Sequence, residues 1–159
     1  MNAKKFVSVE RVRAELEEQK VNSKIEWFAE STRTAADAAS AIGCLVGQIA
    51  KSLIFRTKVS DRPVLVIARG DVRVDEKKIA SALGEKIVRA DPNFVRERTG
   101  FAIGGVSPIG HTGEVVCFVD SGLKEFDVVW AAAGAPNAVF RATPDVLVRL
   151  SGGTLINLG

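Results

Sequence analysis

The run Val64-Leu65-Val66-Ile67-Ala68 places the tightest limit on how this chain can fold. Five consecutive apolar residues, entered by Pro63 and left by Arg69-Gly70, have the length of a strand but not the alternation of a half-exposed one. Successive strand side chains point to opposite faces, so both faces of this strand must be covered. The chain therefore has to build a sheet with further layers on either side of it. Residues 114–120 are also strongly apolar and strand-like, and 23–28, 46–57, 86–90, 126–131 and 138–141 read as further strands. Helices are expected over 8–20, where Val9, Val12 and Leu16 recur at helical spacing, and over 34–42, 75–83 and 92–99, with a last one from Thr143-Pro144 to about Gly152. Thr34 with Asp37 after it, Asp91 before Pro92, and Thr143 before Pro144 are N-terminal signals. Gly43, Gly84 and Gly100 are stops. Strands and helices alternate irregularly, with several strands adjacent late in the chain, which favours an α+β fold with a mixed sheet over a doubly wound one. No repeat, low-complexity tract or linker divides the sequence, so residues 1–159 are expected to form one domain.

Composition narrows the chemistry. Cys44 and Cys117 stand far apart in apolar surroundings, and there is one histidine, so a zinc site of Cys and His is not expected. Both cysteines read as buried thiols of a reducing compartment. The first residues contain no apolar run of signal-peptide length, and no stretch approaches a membrane span, so a cytoplasmic protein is expected. A net charge of +3 permits a polyanionic partner without requiring one.

Two segments carry candidate chemistry. The first is 43–52, ending in Lys51-Ser52. It is not a phosphate loop, because Ala50 rather than glycine precedes the lysine and the spacing from Gly43 is wrong. A Ser/Lys dyad fails too, since neighbours on a strand point to opposite faces. Lys51 is flanked by Ile49, Ala50, Leu53 and Ile54. A lysine there either snorkels from a sheet edge or is held at the mouth of an apolar pocket, where it can orient a carbonyl or an anion. The second segment is Gly104-Gly105-Val106-Ser107-Pro108-Ile109-Gly110-His111. Its glycines and proline specify a backbone path. That path is either a tight connection or a set of N–H donors able to stabilise an oxyanion. Ser107 is not a nucleophile elbow, because Ile109 occupies the second glycine position and Pro108 lacks an N–H. His111 is a candidate for a minor role as a base, and Asp37, Asp120 and Asp127 are acids without paired spacing.

Taken together, TAADAASAIGCLVGQIAKSLIFR (34–56), FAIGGVSPIGH (101–111) and AAGAPNAVFRATPDVLVRLSGG near the end resemble the YbaK/prolyl-tRNA-synthetase-associated editing domain family. The resemblance runs from about Val21 to Gly152 and rests on the Ala-Lys-Ser-Leu segment and the GxxxP loop, 104–108, occurring in this order. It implies a mixed, curved sheet flanked by helices, and hydrolysis of the ester between a wrong small amino acid (alanine, cysteine, serine or threonine) and the 3′ end of a tRNA, most often tRNA(Pro). It implies that Lys51 is needed for activity and that Gly104, Gly105, Val106, Ser107 and Pro108 frame the amino-acid pocket. No metal and no cofactor is implied, and the terminal adenosine's 2′-hydroxyl helps position the water. Aminoacyl-tRNA is the implied partner, with prolyl-tRNA synthetase among the expected ones.

This agrees with the residues. An aminoacyl ester is already activated, so placement and charge stabilisation suffice. Ile25, Trp27, Thr34, Val106 and Asn137 are candidates for the pocket wall, and Lys58, Arg62, Lys77, Lys78, Arg96 and Arg98 for a tRNA-facing rim. Two other readings stay open at this point: a non-catalytic tRNA- or DNA-binding module, and a hydrolase of free esters or amides.

Overall fold

The structure, a computed structural model, describes residues 3–29 and 34–159. Among these residues, five α-helices and eight strands follow one another as α1 (Ala3–Glu18), β1 (Glu26–Trp27), α2 (Ala35–Ile42), β2 (Ile49–Thr57), β3 (Pro63–Arg69), α3 (Glu76–Leu83), β4 (Ile87–Arg89), α4 (Pro92–Thr99), β5 (Val116–Asp120), β6 (Val129–Ala132), β7 (Ala138–Ala142), α5 (Pro144–Ser151) and β8 (Thr154–Ile156). The sheet is mixed and open, in the order β1-β7-β6-β2-β3-β5-β8, with β4 beside β2. The α+β expectation holds.

The strand that constrained the fold spans Pro63–Arg69, and its apolar run is completely buried. It pairs with β2 antiparallel, Lys51 opposite Ala68, and with β5 parallel. Its alternate side chains enter two cores. Leu65 and Ile67 join the larger one with Val9, Val12 and Leu16 of α1, Val95 of α4 and Leu147 of α5. Val64, Val66 and Ala68 join a smaller one closed by Ile79 of α3.

The helix ends follow local chemistry. Thr34, Asp91 and Thr143 each accept a bond from the backbone N–H three residues on. Gly43, Gly84, Gly100 and Gly152 close their helices in the left-handed conformation. α1 begins earlier than its apolar spacing predicts. The expected strand at 23–28 shrinks to two residues at the sheet edge. Val46–Gln48 and Ser121–Glu125 are single 3₁₀ turns rather than strand or plain loop. β8, three residues long and mostly exposed, has no clear periodic signal.

Candidate active site

Lys51 is the third residue of β2. Its ammonium lies 3.5 Å from the carbonyl of Gly70, just past the end of β3. Burial pushes its pKa below the usual 10.5, and the negative charges of Asp71 and Asp120 pull it partly back. Neither carboxylate is committed to the lysine. Asp71 receives the Arg69 guanidinium at 2.7 Å. Asp120, buried, accepts from the N–H groups of Arg69 and Gly122 at 3.1 and 3.0 Å. Lys51 is thus a half-buried cation with no carboxylate within ion-pair distance among the described residues. Gly70 is required beside it: a Cβ there would stand 2.2 Å from the Val46 carbonyl oxygen and 3.0 Å from the Ile49 Cβ.

The glycine loop is clamped in place. Gly104 is left-handed, with φ of +91°. The N–H of Gly105 donates to the Ala102 carbonyl at 3.0 Å, closing a turn. Gly105 also lies flush on the 133–137 turn, where a Cβ would meet the Ala135 Cα at 3.0 Å. From α1, Arg11 donates to the carbonyls of Gly100 (2.6 Å) and Gly110 (3.0 Å) and lies over the Phe101 ring. His111 packs edge-on against the same ring, and its Nε2 is 2.8 Å from the Ser107 carbonyl. A carbonyl only accepts, so Nε2 carries the proton. Burial pushes the His111 pKa below 6.5; the bond to Ser107 opposes that shift and the charge of Arg11 adds to it. At neutral pH the imidazole is a neutral brace of the loop.

Lysine and loop meet in a cavity of about 700 Å³, a size that suits a small-molecule ligand. Its walls include Lys51 and Gly70, Thr34 and Ala35 at the start of α2, Gly104 and Val106 of the loop, and Ala131 and Ala138. Lys51 and the loop approach from opposite faces of the sheet. Leu53 and Phe55, on the lysine's side of β2, pack with the smaller core, whereas Ala50 and Ile54 pack with the larger one, to which Val106 belongs. The cavity joins the two faces because β2 lacks a neighbouring strand along part of one edge: β6 pairs with it only at 49–50 and β4 only at 55–57.

The structure thus brings together Lys51, Thr34, Gly104 and Val106. Gly105, Ser107 and Pro108 lie behind them, buried, and support the loop. Asn137 is next to the wall residues Pro136 and Ala138; its side-chain amide donates to the Phe28 carbonyl at 2.9 Å and its main-chain carbonyl accepts the Phe28 N–H at 2.8 Å, while its buried Oδ1 has no partner among the described residues. His111 and Trp27 lie off the wall, and Ile25 is buried in the larger core. Of the rim candidates, Arg98 is bonded to Asp61, Arg62 is paired with Glu85, and Lys78 donates to the carbonyls of Asn157 and Gly159. Sequence reasoning missed Arg89, an exposed cation of β4 that lines the cavity opposite Phe55. It also missed Gly70, whose position after a buried strand signals no more than a turn.

Comparison with known proteins gives a consistent result. The model of the aminoacyl-tRNA editing domain matches residues 29–150. A protein of Bacillus subtilis, YwhH, whose function is uncharacterised, is 35% identical over 145 residues, 91% of this chain and 92% of its own. A Cys-tRNA(Pro)/Cys-tRNA(Cys) deacylase candidate of Enterococcus faecalis, EbsC, is 27% identical, with 87% and 85% covered. A proline–tRNA ligase of Thermoanaerobacter is 31% identical over 105 residues, which is 64% of this chain but 18% of the ligase. Among solved structures, a candidate trans-editing enzyme for prolyl-tRNA synthetase superimposes with a TM-score of 0.89 at 41% identity, covering 95% of this chain and 96% of that one.

Proposed function

The chain belongs to the aminoacyl-tRNA editing domain family, and from that premise we propose that residues 1–159 form a single trans-acting deacylase domain that clears small non-cognate amino acids from tRNA(Pro). The observation that carries this reading is the shared cavity: a half-buried lysine with no paired carboxylate among the described residues shares with a rigid glycine loop a space lined largely by apolar side chains. Water attacks the ester carbonyl carbon, the bond to the ribose oxygen breaks, and that oxygen takes up a proton, leaving a free amino acid and an uncharged tRNA end. Negative charge develops on the carbonyl oxygen. Lys51 is placed to hold it, and the Gly104 and Val106 backbone at the opposite wall orients the acyl group. A cation kept partly dehydrated acts more strongly there than one in water.

No covalent nucleophile is needed. Ser52 lies on the strand face opposite Lys51, and Ser107 is completely buried behind the loop. Among the described residues no three His, Cys, Asp or Glu side chains gather into a metal-binding group. Alanines 50, 131, 132 and 138 keep the wall apolar and free of steric bulk, so the choice between acyl groups rests on differences of roughly 1–3 kcal/mol per methylene.

The test is a panel of tRNA(Pro) charged with alanine, cysteine, serine, threonine or proline. At least one non-proline ester is lost faster than it hydrolyses unaided, while prolyl-tRNA persists. Binding of the tRNA with every ester left intact would make the chain a non-catalytic tRNA-binding module instead.

A further inference from the structure

A small amino acid fills only part of a 700 Å³ cavity. The remainder runs along the edge of β2, and five consecutive residues, 51–55, line it. A strand can present a continuous run of residues to one cavity only if its main-chain edge, not one of its faces, forms the wall. The exposure agrees: 51–56 are all half-buried, although β2 is an inner strand.

The registers show which groups face the slot. At the end of β2, the Thr57 N–H donates to Arg62 on the β3 side and the Lys58 N–H to Lys86 on the β4 side, each at 2.9 Å. Strand residues alternate in the edge to which they direct their N–H and C=O. Even-numbered residues of β2 therefore direct theirs towards β4 and β6. Ala50 is occupied by its pairing with β6, and Arg56 by its pairing with β4. The Phe55–Arg89 pairing takes up the carbonyl of the preceding residue, Ile54. Among the described residues three groups of this edge are left without a strand partner, in the order Ser52 N–H, Ser52 C=O and Ile54 N–H: a donor, an acceptor and a donor. Apolar side chains of Ala90, Val95 and Val106 border the slot. Polar main-chain groups left this way in an apolar slot need water or a ligand to satisfy them.

Resting on the deacylase reading, we propose that this edge is the subsite for the terminal adenine of the tRNA. The exocyclic amine donates to the Ser52 carbonyl, and N1 accepts from the Ile54 N–H. Adenine is flat and apolar on both faces, as the slot requires. It is tethered by its ribose to the ester that Lys51, the neighbour of Ser52 in β2, holds in the same cavity. Hypoxanthine and guanine reverse both groups: a carbonyl oxygen would oppose the Ser52 carbonyl, and an N1–H would oppose the Ile54 N–H.

Two readouts test this. In the first, the 15N-labelled protein is titrated with adenosine 5′-monophosphate and, separately, with inosine 5′-monophosphate. The amide signals of Ser52 and Ile54 shift with the adenine nucleotide and far less with the hypoxanthine one. Unmoved signals, or equal shifts with both, would overturn the proposal. The second compares acylated tRNA ends finishing in adenosine or inosine. The inosine end is cleaved about tenfold or more slowly in kcat/KM, as expected when a buried donor and acceptor lose their partners. Equal cleavage of both ends would refute the adenine subsite and leave the deacylase standing. Cleavage of neither would refute the deacylase, and the titration would still decide the subsite.

Discussion

Gly104 and Gly105 are adjacent, and alanine is costly at each for a different reason. At Gly104 a Cβ would meet nothing within 4 Å, but φ is +91°. The cost is confined to the backbone, about 1–2 kcal/mol for an L-residue held in left-handed space. At Gly105 no such torsion applies. Its Cβ would stand 3.0, 3.2 and 3.3 Å from the Cα, C and N of Ala135. Those are main-chain atoms, so no side chain can swing aside, and the loop must lift by a few tenths of an ångström at roughly 1–3 kcal/mol. In a domain of this size each kcal/mol lowers Tm by about 2–4 °C. Thermal unfolding should therefore show comparable losses for Gly104→Ala and Gly105→Ala. Deacylation should separate them. Gly105→Ala displaces Gly104 and Val106 from the wall, and small misplacements near the reacting atoms cost up to about 100-fold. Ala135→Gly should not rescue Gly105→Ala, because the close atoms are backbone. If Gly105→Ala has wild-type Tm and wild-type kcat/KM, the loop is not seated on the 133–137 turn, and the account of its rigidity is wrong.

Three further outcomes are expected. His111→Gln loses the ring packing on Phe101, lowering stability by about 1–2 kcal/mol in denaturant melts while most deacylation survives. Because burial holds the His111 pKa below 6.5, the unfolded chain binds the proton more readily. Wild-type stability should therefore fall as pH drops below about 6.5, with the His111 share of that fall missing in His111→Gln. Thr34→Ala removes the bond to the Asp37 N–H and should cost about 1 kcal/mol in thermal melts. Lys51→Met should leave the protein as stable as the parent or more so at neutral pH, because a dehydrated cation is removed; the depressed pKa also means that parental stability rises as pH climbs through it towards 10.5.

The parts of the fold legible in the sequence are those fixed by local chemistry. The caps at Thr34, Asp91 and Thr143 and the glycine stops are set by bonds spanning three or four residues. The strand at 63–69 is set by apolar residues with no polar face. α1 extends upstream of Ser8, where the sequence carries no periodic apolar signal; Val7 is 60% exposed. The 3₁₀ turns and β8 depend on what they pack against. At the site, Lys51 and the glycine loop were visible as unusual segments, and the resemblance to a family placed them together. Their approach from opposite faces of the sheet was not visible. It arises because β6 and β4 leave the middle of β2 unpaired, and pairing between distant strands has no local signature. Arg89 was hidden for the same reason: only the β2–β4 register brings it to the cavity. Asn137, a pocket candidate in the sequence, binds Phe28 through its side-chain amide N–H and its main-chain carbonyl, while its buried Oδ1 has no partner among the described residues.

The central claim is that Lys51 stabilises charge on the ester. The most direct measurement is single-turnover ester loss from mischarged tRNA(Pro), following whichever small acyl group the parent clears fastest, with Lys51→Ala and Lys51→Arg compared under saturating enzyme and corrected for uncatalysed hydrolysis. Both variants should keep the parental fold by circular dichroism. The account predicts a loss of at least 100-fold for Lys51→Ala, about 3 kcal/mol of transition-state stabilisation. Lys51→Arg should retain part of the rate, and the parental rate should decline at alkaline pH as the lysine loses its proton below 10.5. A folded Lys51→Ala protein that clears the ester at the parental rate would contradict it.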